Sequence, residues 1–202
     1  VEGGAFSGLS LIAGWLGAIE VAAWAVVLNV AAIIFMFPLG ISTATAVLVG
    51  RAYGARDEAG VVRWGVIGFL VSTVVSIVII ALVWPGAGLI AHAYSTEPHV
   101  IPLIAAALVL SCLFYLADGL QVVAAQALRA RADIWTPTLI HLFNYAVLMA
   151  PLAWYLALPA GMGLPGIVWG VTIASLTSGL MLVGRYLWLS RAVLWPLAQA
   201  VK

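Results

Sequence analysis

Charge is what this chain lacks most. Asp, Glu, Lys and Arg make up 7% of its 202 residues, against about 25% in a soluble domain, so a water-facing globule is excluded. Eight Lys and Arg balance seven Asp and Glu to a formal charge of +1, which supplies no basic surface for nucleic acid. The single cysteine, Cys112, excludes an intrachain disulfide and any Cys-rich metal site. No Gly-rich phosphate loop, HExxH or metal-spaced His cluster is present. Ser7-Gly8 with His141 is the nearest approach to an intramembrane serine protease, and it lacks the Gly-x-Ser-Gly pattern of that class. Enzyme function and a cofactor are therefore not expected. Nor is a channel, because no filter carbonyls or repeated acidic lining can be recognised. There is no charged n-region with a cleavage site, and the first residue is Val1 rather than Met. The expectation is an excised piece of a longer protein, with its first helix shortened at the start.

What the chain does have is apolar length, 65% of it hydrophobic. Crossing a hydrocarbon core of about 30 Å takes roughly 20 apolar residues in a helix. Six stretches suffice: Val1 to Ile19, Val21 to Val49, Trp64 to Trp84, Val100 to Leu128, Ile134 to Leu158 and Met162 to Gly184. The reading is an all-α integral membrane lobe of six transmembrane helices, with no separate soluble domain. Trp64 to Trp84 is free of charge and has an indole at each end, where headgroups favour such rings.

The connections sort by charge. Arg51, Arg56 and Arg63 lie in the second, Arg129 and Arg131 in the fourth, and Arg185, Arg191 and Lys202 in the tail. The alternate connections, around Glu20, His92 to His99 and Pro159 to Pro165, contain no Lys or Arg. The positive-inside rule then predicts a multi-pass protein of the plasma (inner) membrane with a cytoplasmic C-terminus. Pro38 and Pro151 are expected to bend the second and fifth helices, since neither has an amide hydrogen for the preceding turn. Small residues recur every four positions, at Gly4 and Gly8, Ser10 and Gly14, and Gly166, Gly170, Ala174 and Ser178. They are read as faces of close helix packing.

Ionisable groups at bilayer depth cost several kcal/mol and mark pathways. Asp118 and Glu2 are the two acids at such depth, and their spacing from the helix ends allows both to face one wet cavity. Gln121 follows Asp118 by three residues and Tyr115 precedes it by three, so both reach the same neighbourhood. Asn29, His141, Asn144 and Tyr145 are also buried by position. The last three share a face at i, i+3, i+4 spacing and are read first as a hydrogen-bonded patch between helices, second as a proton-sensitive histidine.

These residues carry a resemblance. Phe35-Met36-Phe37-Pro38-Leu39-Gly40-Ile41-Ser42, Ala44 and Val49-Gly50-Arg51-Ala52-Tyr53-Gly54-Ala55, with Asn29 upstream, resemble the eighth helix and following loop of multidrug and toxic compound extrusion (MATE) transporters. Asp118-Gly119-Leu120-Gln121, Ala127-Leu128-Arg129, Asp133 and Pro137 resemble the tenth. Glu2, Phe6 and the run to Trp15-Leu16-Gly17 resemble the seventh, and Gly161, Gly163, Gly166 and Trp169-Gly170 the junction of the last two. Trp24-Ala25, Leu48, Gln126 and Ala130 depart from the family pattern.

The resemblance implies the C-terminal, six-helix lobe of a NorM-like MATE transporter of twelve helices. Its partners would be an N-terminal six-helix lobe, the lipid bilayer and a small amphipathic or cationic organic substrate. Influx of a coupling ion, Na⁺ or H⁺, would drive multidrug efflux by antiport. The family's cation-binding carboxylates carry over to Glu2 and Asp118, making these the possible Na⁺ site. Two other readings stand beside it: an inactive structural half or truncated fragment, and a lipid-linked sugar flippase of the same superfamily, which the lack of intramembrane Lys or Arg disfavours.

Overall fold

The computed structural model describes the backbone of residues 2–200 and the side chains of residues 8–191. Seven α-helices follow in order: α1 (Glu2–Leu16), α2 (Ala18–Gly54), α3 (Glu58–Tyr94), α4 (Ile101–Ala130), α5 (Trp135–Leu142), α6 (Ala150–Ala157) and α7 (Leu164–Ala200). A π-helical segment, Phe143–Met149, joins α5 to α6. Among the described residues there is no strand. Helices satisfy every backbone group internally, which is what a chain this apolar requires in lipid. Among the described residues five units are long and apolar enough to cross a membrane, α5 through α6 acting as one of 23 residues. The 15 residues of α1 extend about 22 Å, so the first of the six expected spans is short.

The expected spans at Val100 to Leu128 and Ile134 to Leu158 agree with the helices to within a few residues. The first connection does not. The chain breaks at Gly17, whose φ of 146° and ψ of 173° lie in a region open essentially to glycine alone. Glu20, expected in a loop, lies in the first turn of α2, where the positive end of the helix dipole favours an acid. α3 is longer than Trp64 to Trp84 at both ends and carries Pro85 inside it. Its start is set by Asp57, whose side chain accepts the Gly60 amide at 2.8 Å, an N-cap. His92 is therefore helical rather than part of a loop. α7 likewise continues well past Gly184.

α4 is the central helix and packs against α2, α3 and α7. Ala107, Leu108, Val123, Ala124, Ala127 and Leu128 are buried on it, while a stripe through Pro102, Ala106 and Leu113 stays exposed. α6 lies close along α7. A β-carbon on Gly170 would stand 2.7 Å from Cα and Cβ of Ala153, and one on Gly166 would stand 2.6 Å from the backbone of Leu156 and Ala157. That glycine stripe is a packing face, as expected. Gly8 and Gly14 meet nothing within 4 Å; Leu9, Ile12 and Ala13 bury α1 instead. Gly4 lies outside the described side chains.

One end of the bundle collects the arginines. Gly50 approaches Ala130, the Tyr186 hydroxyl donates to the Val61 carbonyl at 2.6 Å, and Arg131 Nη1 donates to Ser190 Oγ at 3.0 Å. The ends of α2 and α4, the start of α3 and the Arg185 to Arg191 part of α7 thus share one level. Lys202 lies outside the described residues. Arg185 Nε meets Asp133 Oδ2 at 3.0 Å. Partial burial pushes the Asp133 carboxyl upward, but hydrogen bonding from Thr136 and the hydrogen bond and charge of Arg185 outweigh it and hold the group below its ordinary value. Arg63 stacks over Trp64, and Arg185 and Arg191 over Trp188, pairing cations with rings suited to an interface.

Candidate functional site

Asp118 lies on α4 about 18 Å along the axis from the helix end at Ala130, well inside a helix long and apolar enough to cross a membrane. It is half-buried. Gln121, wholly buried, donates through Nε2 to Asp118 Oδ1 at 2.6 Å and to the Tyr145 hydroxyl at 2.9 Å. Both amide hydrogens are used, so the amide orientation is fixed. Its Oε1 is left buried without a hydrogen-bond donor, a deficit of roughly 1–3 kcal/mol.

Gly119 lets two further helices close on this level. A β-carbon there would lie 2.9 Å from Ser72 Oγ, 3.0 Å from Ser76 Oγ and 3.6 Å from Pro38 Cβ. α2 runs through Pro38 as one helix. One turn on, Ser42 and Thr43 both donate to the Leu39 carbonyl, at 2.8 and 2.9 Å. Ser72 Oγ, which faces Gly119 on the side of α4 away from Gln121, is also buried without a partner among the described residues.

The π segment sets the other side. The amide of Ala150 bonds to the Tyr145 carbonyl, a five-residue step, and Pro151, with no amide of its own, follows directly. The wide turn ends where the proline would have left a carbonyl unpaired. His141 stacks on Tyr145 with ring centroids 5.5 Å apart and 10° between planes. Both rings line a cavity of about 280 Å³ together with Phe35, Gln126, Thr138 and Arg129. Tyr145 is thus both a wall of that cavity and a partner of Gln121.

The expected patch on the fifth span is only partly formed. Asn144 points the other way, its Nδ2 donating to the Ile140 carbonyl at 2.9 Å and resting 3.8 Å from Met181 Sδ on α7; the widened turn separates it from the His141 and Tyr145 face. Tyr115 is buried in the apolar core with its ring edge-on to Phe114. Asn29, expected to be buried, is exposed, and its Oδ1 accepts the Tyr94 hydroxyl at 2.6 Å. It ties α2 to α3 and takes no part in the Asp118 network. The Glu2 side chain lies outside the described residues. Among the described residues no group of three His, Cys, Asp or Glu side chains could hold a metal. Sequence reading missed the Gln121 to Tyr145 bridge, Ser72, Ser76 and the cavity, all of which depend on contacts between helices.

The family model for MatE matches residues 6–155. A probable multidrug resistance protein NorM of Caulobacter vibrioides is 52% identical over 185 residues, 92% of this chain and 39% of the relative. The chain belongs to the MatE family. A second probable multidrug resistance protein NorM, from Deinococcus radiodurans, is 38% identical over 95% of the MatE chain and 44% of its own length. The crystal structure of the eukaryotic MATE transporter AtDTX14 superposes with a TM-score of 0.83 at 21% identity, covering 88% of this chain and 40% of that one; this likeness speaks for the fold alone. The chain spans about two fifths of the length of the curated relatives it matches. It is an all-helical, multi-pass membrane protein of a transporter family.

Proposed function

We propose that this chain is one six-helix lobe of a secondary antiporter that exports amphipathic or cationic organic compounds, driven by influx of Na⁺ or H⁺. The observation that carries the reading is Asp118: an acid within a membrane-spanning helix, held by the fixed amide of Gln121, whose own Oε1 is buried without a hydrogen-bond partner among the described residues. Such a setting suits a small cation that arrives and leaves. The names of the relatives support a multidrug substrate. Glu2 is the second coupling carboxylate in this proposal, on the strength of the motif around it. The arginine-bearing end, and with it the C-terminus, faces the cytoplasm across the inner membrane.

The energetics suffice. One elementary charge moving through about 100 mV releases about 2.3 kcal/mol, enough for a roughly 50-fold gradient of a neutral compound. The chain's two-fifths share of its relatives' length favours a second reading of the chain in isolation, as an inert half that works only with its complementary lobe. Coexpression with that lobe in efflux-deficient cells tests both. Dye efflux from the pair but not from the chain alone is expected, with Asp118→Asn abolishing it at unchanged membrane abundance. Full efflux by the Asp118→Asn pair would reject the coupling site, and no efflux from the unaltered pair would favour a non-transporting half.

A further inference from the structure

The cavity beside the Asp118 network supports an inference that goes beyond ion-coupled efflux. It is built from matching faces of three elements. Val122, Gln126 and Arg129 line it from α4, Thr138, His141 and Tyr145 from α5 and the π segment, and Phe35 from α2. On α4 that stripe begins one turn earlier at Asp118, since 118, 122, 126 and 129 follow the i+4, i+4, i+3 rhythm of one helix face. The cavity thus lies between the arginine-bearing end of the bundle and the level of Asp118, which does not itself line it.

Its polar lining is one-sided. The guanidinium of Arg129 is exposed and, among the described residues, in no ion pair; it is a donor only. His141 offers the space its ring face, since its Nδ1 is buried, with no hydrogen-bond partner among the described residues. The Thr138 hydroxyl is spent on the Ile134 carbonyl at 2.9 Å. Among the described residues no carboxylate lines the space. A cationic guest would meet an uncompensated arginine, whereas an oxyanion would meet a fork of N–H donors matched to its geometry. The remaining surface is apolar and flat: Phe35, the stacked His141 and Tyr145 rings, and Val122. At about 280 Å³ the space falls just below the ~300 Å³ lower bound of ordinary ligand pockets, which limits the guest to a small head and one ring or a short stretch of chain.

We propose that this cavity is a binding site for an amphiphilic anion, its oxyanion group held by Arg129 with Gln126, its apolar body laid against Phe35 and the His141–Tyr145 stack. Two sources share that chemistry, a free aromatic carboxylate or sulfonate and the phosphate of a membrane lipid. The site has opposite charge preference to the cation-exporting function proposed above, so it is tested without any ion gradient.

The full chain is titrated with 1-naphthalenesulfonate and with 1-naphthylmethylammonium, in detergent, in phosphatidylcholine nanodiscs and in phosphatidylglycerol nanodiscs. Saturable binding of the sulfonate, at least tenfold tighter than the ammonium and weakened tenfold or more by R129Q, is the expected result. Because Arg129 is exposed at a helix end, R129Q keeps the fold, and R129K retains part of the affinity. Sulfonate binding that persists in phosphatidylglycerol assigns the site to free organic anions; binding seen in phosphatidylcholine but displaced in phosphatidylglycerol assigns it to the phosphate of an anionic lipid. No saturable binding in detergent or phosphatidylcholine, equal binding of the ammonium, or wild-type affinity in R129Q would overturn the proposal.

Discussion

An alanine at Gly170 puts the close seating of α6 on α7 to a quantitative test. The added methyl would stand 2.7 Å from Cα and Cβ of Ala153 and 2.8 Å from its amide nitrogen. These are backbone and first-carbon atoms that cannot rotate aside, so the two helices must separate. Overpacking of this kind costs about 1–3 kcal/mol, and the lack of a yielding side chain places this site near the upper figure. Alanine returns about 1 kcal/mol of helix propensity over glycine. The net loss is about 2 kcal/mol, or roughly 30-fold in the population of the opened state. Cys112 reports on that state. It is the chain's single cysteine, 1% exposed, and it belongs to the same apolar cluster as Ala153, Val168 and Val171. Its maleimide labelling, under conditions where reclosing outpaces reaction, tracks the open population and is expected to speed up by about that factor. Gly86→Ala is the control, since nothing lies within 4 Å of its new methyl, and it should label no faster than the parent. Equal labelling of Gly170→Ala and Gly86→Ala would show that α6 and α7 accommodate the methyl without separating.

Two further outcomes follow from the arginine-bearing end. Tyr186→Phe keeps the ring that packs on Phe69 and under Arg131 but deletes the bond to the Val61 carbonyl. It should lower stability by about 1 kcal/mol, read as a lower unfolding midpoint in detergent; an unchanged midpoint would remove that tie from the account. Asp133 carries a pH signature. Its folded value is depressed, so its contribution is complete above the unfolded value of about 3.9 and is lost as pH falls through the lower, folded one. Unfolding midpoints of parent and Asp133→Asn should therefore differ at neutral pH and converge under acid. A gap that is constant with pH would show that the ion pair with Arg185 is not its origin.

Most of the helices could be read in advance because hydrophobic length is a one-dimensional property. Val100 to Leu128 and Ile134 to Leu158 needed nothing but counting. The errors came where charge was taken as the mark of a helix end. Glu20 is compatible with lipid-edge helix because it sits at a dipole's positive end, and the actual break is the backbone of Gly17. Of the site, the Asp118–Gln121 pair follows from i, i+3 spacing within one helix. The partner at Tyr145 does not, since 24 residues separate it from Gln121 and only the fold brings them together. The π turn changed which side chains share a face, and with it Asn144 moved to α7. That turn has a partial signature in Pro151, which has no amide for the preceding carbonyl, but the sequence does not say whether a kink or a widened turn will answer it.

Tyr186 to Val61, Arg131 to Ser190 and Asp133 to Arg185 all stitch different elements together at a single level of the bundle. Seen mechanically, the helices resemble the ribs of a fan riveted at the handle. Tilting any rib displaces its far tip most and its riveted base least, so the lever arm grows with distance from the arginines, and Asp118, about 18 Å along its rib, sits where a small rotation at the handle already becomes a change in spacing between neighbours.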